Sequence, residues 1–182
     1  VLLFVVALSS THADRTREFG TNWSALYFND IFGDGSSVYS ETMPTGINVN
    51  WGLSSPDPVV QVDGWSARFS GFQLFDNRRY EFVLTSDDFV QLGIDGVTRL
   101  KRMGTHPLTT DRFQLNMTHG LHYFTIRYAD YVEDAAIQFQ YFVVPYDVTR
   151  GISGTTFDHL GNPLQDTKVT AYDATTMAVA SV

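Results

Sequence analysis

The chain has 182 residues, enough for one well-buried domain of about 100 to 150 residues and part of a second. Apolar residues make up 43% and charged residues 18%, so a disordered chain is excluded. The formal charge is -8 with only 12 scattered Lys and Arg, which argues against nucleic acid as a partner, and the absence of Cys excludes disulfides and thiolate metal sites.

Residues 1–13 predict the remnant of a secretory signal peptide. Val1 to Leu8 form a short apolar run, and small residues precede a plausible cleavage point after Ala13. A buried strand is the alternative interpretation. The run falls short of the ~20 residues that a membrane-spanning helix needs. We therefore expect a secreted, extracellular or cell-surface protein with no transmembrane segment.

The centre of the chain predicts an all-β domain. Short runs alternate between apolar and polar residues with period two, and turn residues such as Asp95-Gly96 separate them. The predicted strands lie within 65–69, 80–84, 90–94, 97–100, 112–117, 124–128 and 137–143. This spacing is typical of an antiparallel β-sandwich or barrel, which we place at residues 14–148.

Residues 149–182 differ from the central domain in their sequence pattern. Gly161-Asn162-Pro163-Leu164 leads into the alternating run Lys168 to Tyr172. This pattern resembles the opening of a carboxypeptidase-regulatory-like or transthyretin-like β-sandwich. The resemblance implies a partial Ig-like β module, and therefore other domains of a longer polypeptide.

The sharpest local feature is a pair of adjacent carboxylates, Asp87 and Asp88, placed between two apolar strands. Like charges side by side are costly unless something neutralises them. A calcium ion prefers carboxylate and carbonyl oxygens and tolerates loose geometry. Taken alone, such a pair is more often a solvated turn with side-chain-to-backbone hydrogen bonds than a calcium site.

Several motifs in a fixed order resemble the PA-14 (PA14) domain family, the β-barrel domain named after anthrax protective antigen. They are 23–29 (WSALYFN), 47–52 (INVNWG), 65–71 (WSARFSG), 80–88 (YEFVLTSDD), 92–96 (LGIDG) and 119–122 (HGLH). The resemblance implies a PA-14-type β-barrel fold. In sugar-binding members of the family, two consecutive Asp joined by a cis peptide hold a calcium ion that in turn binds sugar hydroxyls.

The resemblance assigns the metal site residue by residue. Asp87 and Asp88 match the aspartate pair of the family. A second loop, 130–134, completes the site, and Asp130 and Asp134 are its candidate ligands. The expected cofactor is therefore calcium, held by Asp87, Asp88, Asp130 and Asp134.

The predicted sugar contacts are Asp87 and Asp88, through the ion, with Phe89 and Tyr131 as stacking residues. Phe89 stands where the family commonly has Gly, so it is also a residue that could crowd the site.

The sequence thus predicts a non-enzymatic, calcium-dependent module that binds a glycan or polysaccharide. A structural or assembly module without a ligand is one alternative, and an accessory domain of a larger glycoside hydrolase is another. No acid, base and nucleophile set can be assembled from the visible motifs.

Overall fold

The computed structural model describes residues 22–145, together with the backbone of two short strands, β1 (Ala7–Leu8) and β12 (Tyr172–Asp173), which pair in parallel. The chain divides into two compact units. One comprises Val1–Asp14 and Pro145–Val182, and the other Arg15–Val144. The interpretations of residues 1–13 and 149–182 lie almost wholly outside the described residues and stay predictions.

The larger unit contains a six-stranded antiparallel sheet with the order β3-β2-β5-β10-β7-β8. Its strands are β2 (Trp23–Phe28), β3 (Tyr39–Met43), β5 (Trp65–Phe75), β7 (Phe89–Ile94), β8 (Val97–Arg102) and β10 (Gly120–Asp130).

A four-stranded antiparallel sheet forms the second layer, with the order β4-β11-β6-β9. It consists of β4 (Asn48–Gly52), β6 (Arg78–Asp87), β9 (Thr109–Met117) and β11 (Ala135–Val143). The chain changes layers at most of its connections, among them those between β6 and β7, between β8 and β9, and between β10 and β11.

Period-two alternation decides which side chains enter the space between the layers. In β10, Phe124, Ile126 and Tyr128 are buried, whereas Arg127 between them is exposed. The core is dominated by aromatic rings, with Phe82 packed against Phe124, whose ring centroid lies 6.0 Å away. Edge-to-face and offset ring packing of this kind adds to the apolar burial that stabilises the sandwich.

The structure confirms the all-β class, and every strand predicted between 65 and 143 is present. Asp95 and Gly96 have φ values of 52° and 78°, which are the left-handed values that the predicted hairpin turn between β7 and β8 requires. Among residues 22–145, no helix is long and apolar enough to cross a membrane.

Candidate functional site

The aspartate pair lies where the chain changes layers. β6 ends at Asp87 and β7 begins at Phe89, so the pair connects the four-stranded sheet to the six-stranded sheet. The peptide bond between Asp87 and Asp88 is cis, as the family resemblance implies. Two more crossings lie beside it: loop 103–108, between β8 and β9, and loop 131–134, between β10 and β11.

Asp88 organises both neighbouring loops. Its side chain is 2% exposed, and one carboxylate oxygen accepts the backbone N–H of His106 at 3.0 Å. The other oxygen accepts the backbone N–H of Tyr131 at 2.9 Å. Each oxygen keeps a second lone pair that these bonds do not use.

Asp87 is half-buried, and its backbone carbonyl accepts a hydrogen bond from the hydroxyl of Tyr128. Burial raises the pKa of the Asp87 carboxyl, and the negative charge of Asp88 and a hydrogen bond with it raise that pKa further. Asp134 acts in the same direction, whereas His106 lowers the pKa. The site therefore gathers negative charge that the surrounding protein does not neutralise.

An open pocket of about 480 Å³ lies at this end of the sandwich. Asp87, Asp88 and Asp134 all line it, so the structure brings together three of the four predicted metal ligands. The other lining residues are Thr105, His106, Pro107, Val132 and Glu133. No Lys or Arg is among these lining residues, so the carboxylates face the pocket without a permanent positive charge.

Asp130 is the fourth predicted ligand, and it does not line this pocket. β10 continues through Asp130, and period two places its side chain on the inward face, where it is 0% exposed. Burial raises its pKa to about 7, and the charges of Asp88 and Asp63 add to the increase. The indole N–H of Trp65 acts against this shift, yet neither carboxyl oxygen has a hydrogen bond of ordinary geometry among the described residues.

The donor chemistry of the site suits a hard divalent cation. Asp87 and Asp88 offer carboxylate oxygens, and Asp134 offers a third carboxylate at the pocket. Within residues 22–145, however, no three acidic or His side chains already converge as a complete ligand set. Backbone carbonyls and water would have to supply the remaining ligands of a calcium ion.

The two predicted stacking residues adjoin the pocket in sequence but do not line it. Phe89 is half-buried, and alternation with the buried Val90 puts its ring on the outer face of the six-stranded sheet. Tyr131 is half-buried and contributes its backbone N–H to Asp88. Neither Phe89 nor Tyr131 is among the residues that line the pocket, whose apolar surface comes from Pro107 and Val132. A sugar contact by Phe89 or Tyr131 stays a prediction.

Sequence reasoning missed two residues that shape the site. His106 reaches Asp88 from a loop 18 residues further along the chain. Asp63 accepts the backbone N–H of Glu133 at 3.1 Å and thereby holds loop 131–134. Asp63 lies within a turn-rich stretch, 52–64, but nothing in the linear sequence pairs it with Glu133.

Comparisons with known proteins agree on the architecture. No protein-family model matches the chain, and no curated protein sequence matches it. Solved structures do match. The PA14 domain of the MpAFP antifreeze protein superposes with a TM-score of 0.54 at 13% identity, covering 80% of this chain and 90% of that one. The fold is that of a PA14 domain.

Two other solved structures extend the comparison. A PA14 sugar-binding domain from an RTX adhesin matches with a TM-score of 0.54 at 14% identity, over 67% of this chain and 89% of that one. An anti-sigma factor domain-containing protein matches with a TM-score of 0.62 at 20% identity, over 68% of this chain. This chain spans 43% of that protein. The matched fold thus fills nearly the whole of two solved chains and less than half of a third.

Proposed function

We propose that the PA14 domain of this chain is a non-catalytic module that binds carbohydrate through a calcium ion, in a secreted or cell-surface protein. The observation that carries the proposal is the pocket at the layer crossing, where Asp87, Asp88 and Asp134 meet without a Lys or Arg among the lining residues. The sugar-binding PA14 domain of the RTX adhesin, which has the same fold, supports it.

In this proposal Asp87 and Asp88 hold the ion with their free carboxylate lone pairs, and Asp134 contributes from the facing loop. The bound ion would neutralise the carboxylates and offer open coordination positions to vicinal sugar hydroxyls. The hydrogen bonds from His106 and Tyr131 keep Asp88 oriented before the ion arrives. This orientation lowers the cost of ordering the site on binding.

The surroundings of the carboxylates suit a sugar ring. Val132 is 53% exposed and lies with Pro107 on the wall of the pocket, where an apolar sugar face can pack. Thr105, also on the wall, adds a hydroxyl that can donate to or accept from a sugar hydroxyl.

Calcium titration of the full chain by isothermal calorimetry tests the metal step. We compare the wild type with the double variant Asp87→Asn plus Asp88→Asn, and we use Asp76→Asn as the matched control. Asp76 lies in the turn before β6, about 30 Å along that strand from Asp87. We expect micromolar to low-millimolar calcium binding by the wild type and by Asp76→Asn, and none by the double variant.

Glycan-array binding, measured with calcium and then with excess EDTA, tests the sugar step. We expect signal only with calcium and only for chains with both aspartates. Calcium binding that the double variant retains would refute the proposed metal site. Glycan signal that survives EDTA would refute the role of the ion, and absence of both signals would favour a structural module.

A further inference from the structure

The outer face of the six-stranded sheet carries three chemically distinct rows of side chains. On this face, strand register places chemically similar side chains in rows that run across the sheet. Each row takes one outward-facing residue from each strand, with about 5 Å between neighbouring strands. Successive rows are about 7 Å apart along a strand. Three consecutive rows are basic, hydroxyl-bearing and aromatic, and each lies away from the aspartate pocket.

The basic row has Arg68 of β5 directly opposite Arg127 of β10, which in turn lies opposite Gln91 of β7 and then Lys101 of β8. These three cations are a quarter of the 12 Lys and Arg in a chain whose formal charge is -8. Like charges directly opposite on neighbouring strands are destabilising. A row that keeps them together therefore favours an anion that lies across it.

The existing contacts leave most of this charge available. The guanidinium of Arg68 lies 3.6 Å from Asp34, but the two side chains are 45% and 78% exposed, so the pair is weak. Arg127 donates one N–H to the backbone carbonyl of Phe32 at 2.7 Å. Within the described residues, neither Arg127 nor Lys101 has a carboxylate partner, and Arg127 keeps donors for a planar carboxylate.

The next two rows suit the hydroxyl groups and the apolar face of a sugar. Ser70 lies opposite Thr125, and Gly93 on the far side of Thr125 has no side chain to cover it. A Cβ added at Gly93 would lie 2.6 Å from Oγ1 of Thr125, so this glycine keeps the hydroxyl row open. Beyond that row, Phe72 lies opposite Tyr123.

The two rings form an exposed platform. Their centroids are 4.9 Å apart, and 63% of Phe72 and 39% of Tyr123 are exposed. A shallow depression of about 490 Å³ joins this platform to the basic row, because Tyr123, Thr125 and Arg127 all line it. These three alternate along β10 over about 13 Å, which is longer than a single sugar ring.

We infer that this face is a second, calcium-independent binding surface for an acidic oligosaccharide. A carboxylate of the ligand pairs with Arg127 and Arg68, ring hydroxyls bond to Ser70 and Thr125, and an apolar sugar face stacks on Tyr123. The inference does not rest on the aspartate pocket, because it uses different residues and needs no metal.

The test uses the full chain in EDTA, with trigalacturonic acid as the probe and its fully methyl-esterified form as the neutral analogue. We expect calorimetric binding of the acid and not of the ester, weakened by added salt because the contact is partly exposed. Arg127→Gln should weaken binding about ten- to a hundredfold, since it removes a charge-assisted hydrogen bond. Arg127→Lys should fall between that variant and the wild type.

Two matched variants test whether binding depends on the basic row itself. Arg112→Gln removes one exposed cation from β9 of the other sheet, and Asp87→Asn plus Asp88→Asn disables the aspartate pocket. Both should bind trigalacturonic acid as the wild type does. Absence of millimolar binding, equal binding of the ester, equal weakening by Arg112→Gln, or dependence on Asp87 and Asp88 would each overturn the inference.

Discussion

Asp130 should make the metal-free chain less stable as the pH rises. Its carboxyl is completely buried, and its pKa is raised to about 7 by burial and by the charges of Asp88 and Asp63. The folded chain therefore holds this proton more tightly than the unfolded chain does, whose Asp residues titrate near 3.9. Stability is fully retained below about pH 4 and falls as the pH rises through 7.

The magnitude follows from the size of the shift. A pKa about three units above its ordinary value corresponds to roughly 4 kcal/mol, of which about 3 kcal/mol develops between pH 5 and pH 8. Asp130→Asn removes the titration at almost constant volume. We expect the free energy of unfolding of this variant, relative to that of the wild type, to be roughly 2 to 3 kcal/mol higher at pH 8 than at pH 5.

Urea unfolding in EDTA, followed by the fluorescence of Trp23, Trp51 and Trp65, measures this difference. Asp76→Asn, at an exposed turn, is the control and should change the unfolding free energy little at either pH. A gain by Asp130→Asn that is the same at pH 5 and pH 8, or a loss at pH 8, would show that Asp130 is not a strained buried carboxyl.

The hairpin end of the sandwich yields two further predictions. Burial lowers the pKa of His122, but its hydrogen bonds to Asp95 at 2.6 Å and to the Thr118 carbonyl raise that pKa by more. Asp95→Asn should therefore lower the His122 pKa that an NMR titration measures. The His122–Asp95 pair should stabilise the fold below about pH 6.5 and lose that effect as the pH rises through the raised pKa; an unchanged His122 titration would contradict this. Gly93→Ala should destabilise the chain by about 1 to 3 kcal/mol in urea unfolding, with partial recovery when Thr125→Ala removes the clashing hydroxyl; additive losses in the double variant would argue against the clash.

Much of the fold could be predicted because its strands carry a local signal. Trp65, Ala67 and Phe69 alternate with polar residues, and each of them is buried. β3 (Tyr39–Met43) was not predicted, because Met43 is its only buried residue and the strand therefore has little apolar alternation to display.

The site was predictable only in part, and Asp130 shows why. The resemblance placed it in a loop, whereas β10 includes it and turns its side chain inward; its role as a metal ligand stays a prediction. Its spacing of two from Tyr128 carried that signal. The contact between His106 and Asp88 had no comparable signal, because it depends on how two loops from different strand pairs meet in space.

Asp88 links three of the connections that run between the two sheets. Of the three connections that meet there, one contains Asp88 itself, and the other two are tied to it through the backbone of His106 and Tyr131. The three connections therefore share one buried carboxylate, and the loss of Asp88 would release loops 103–108 and 131–134 together.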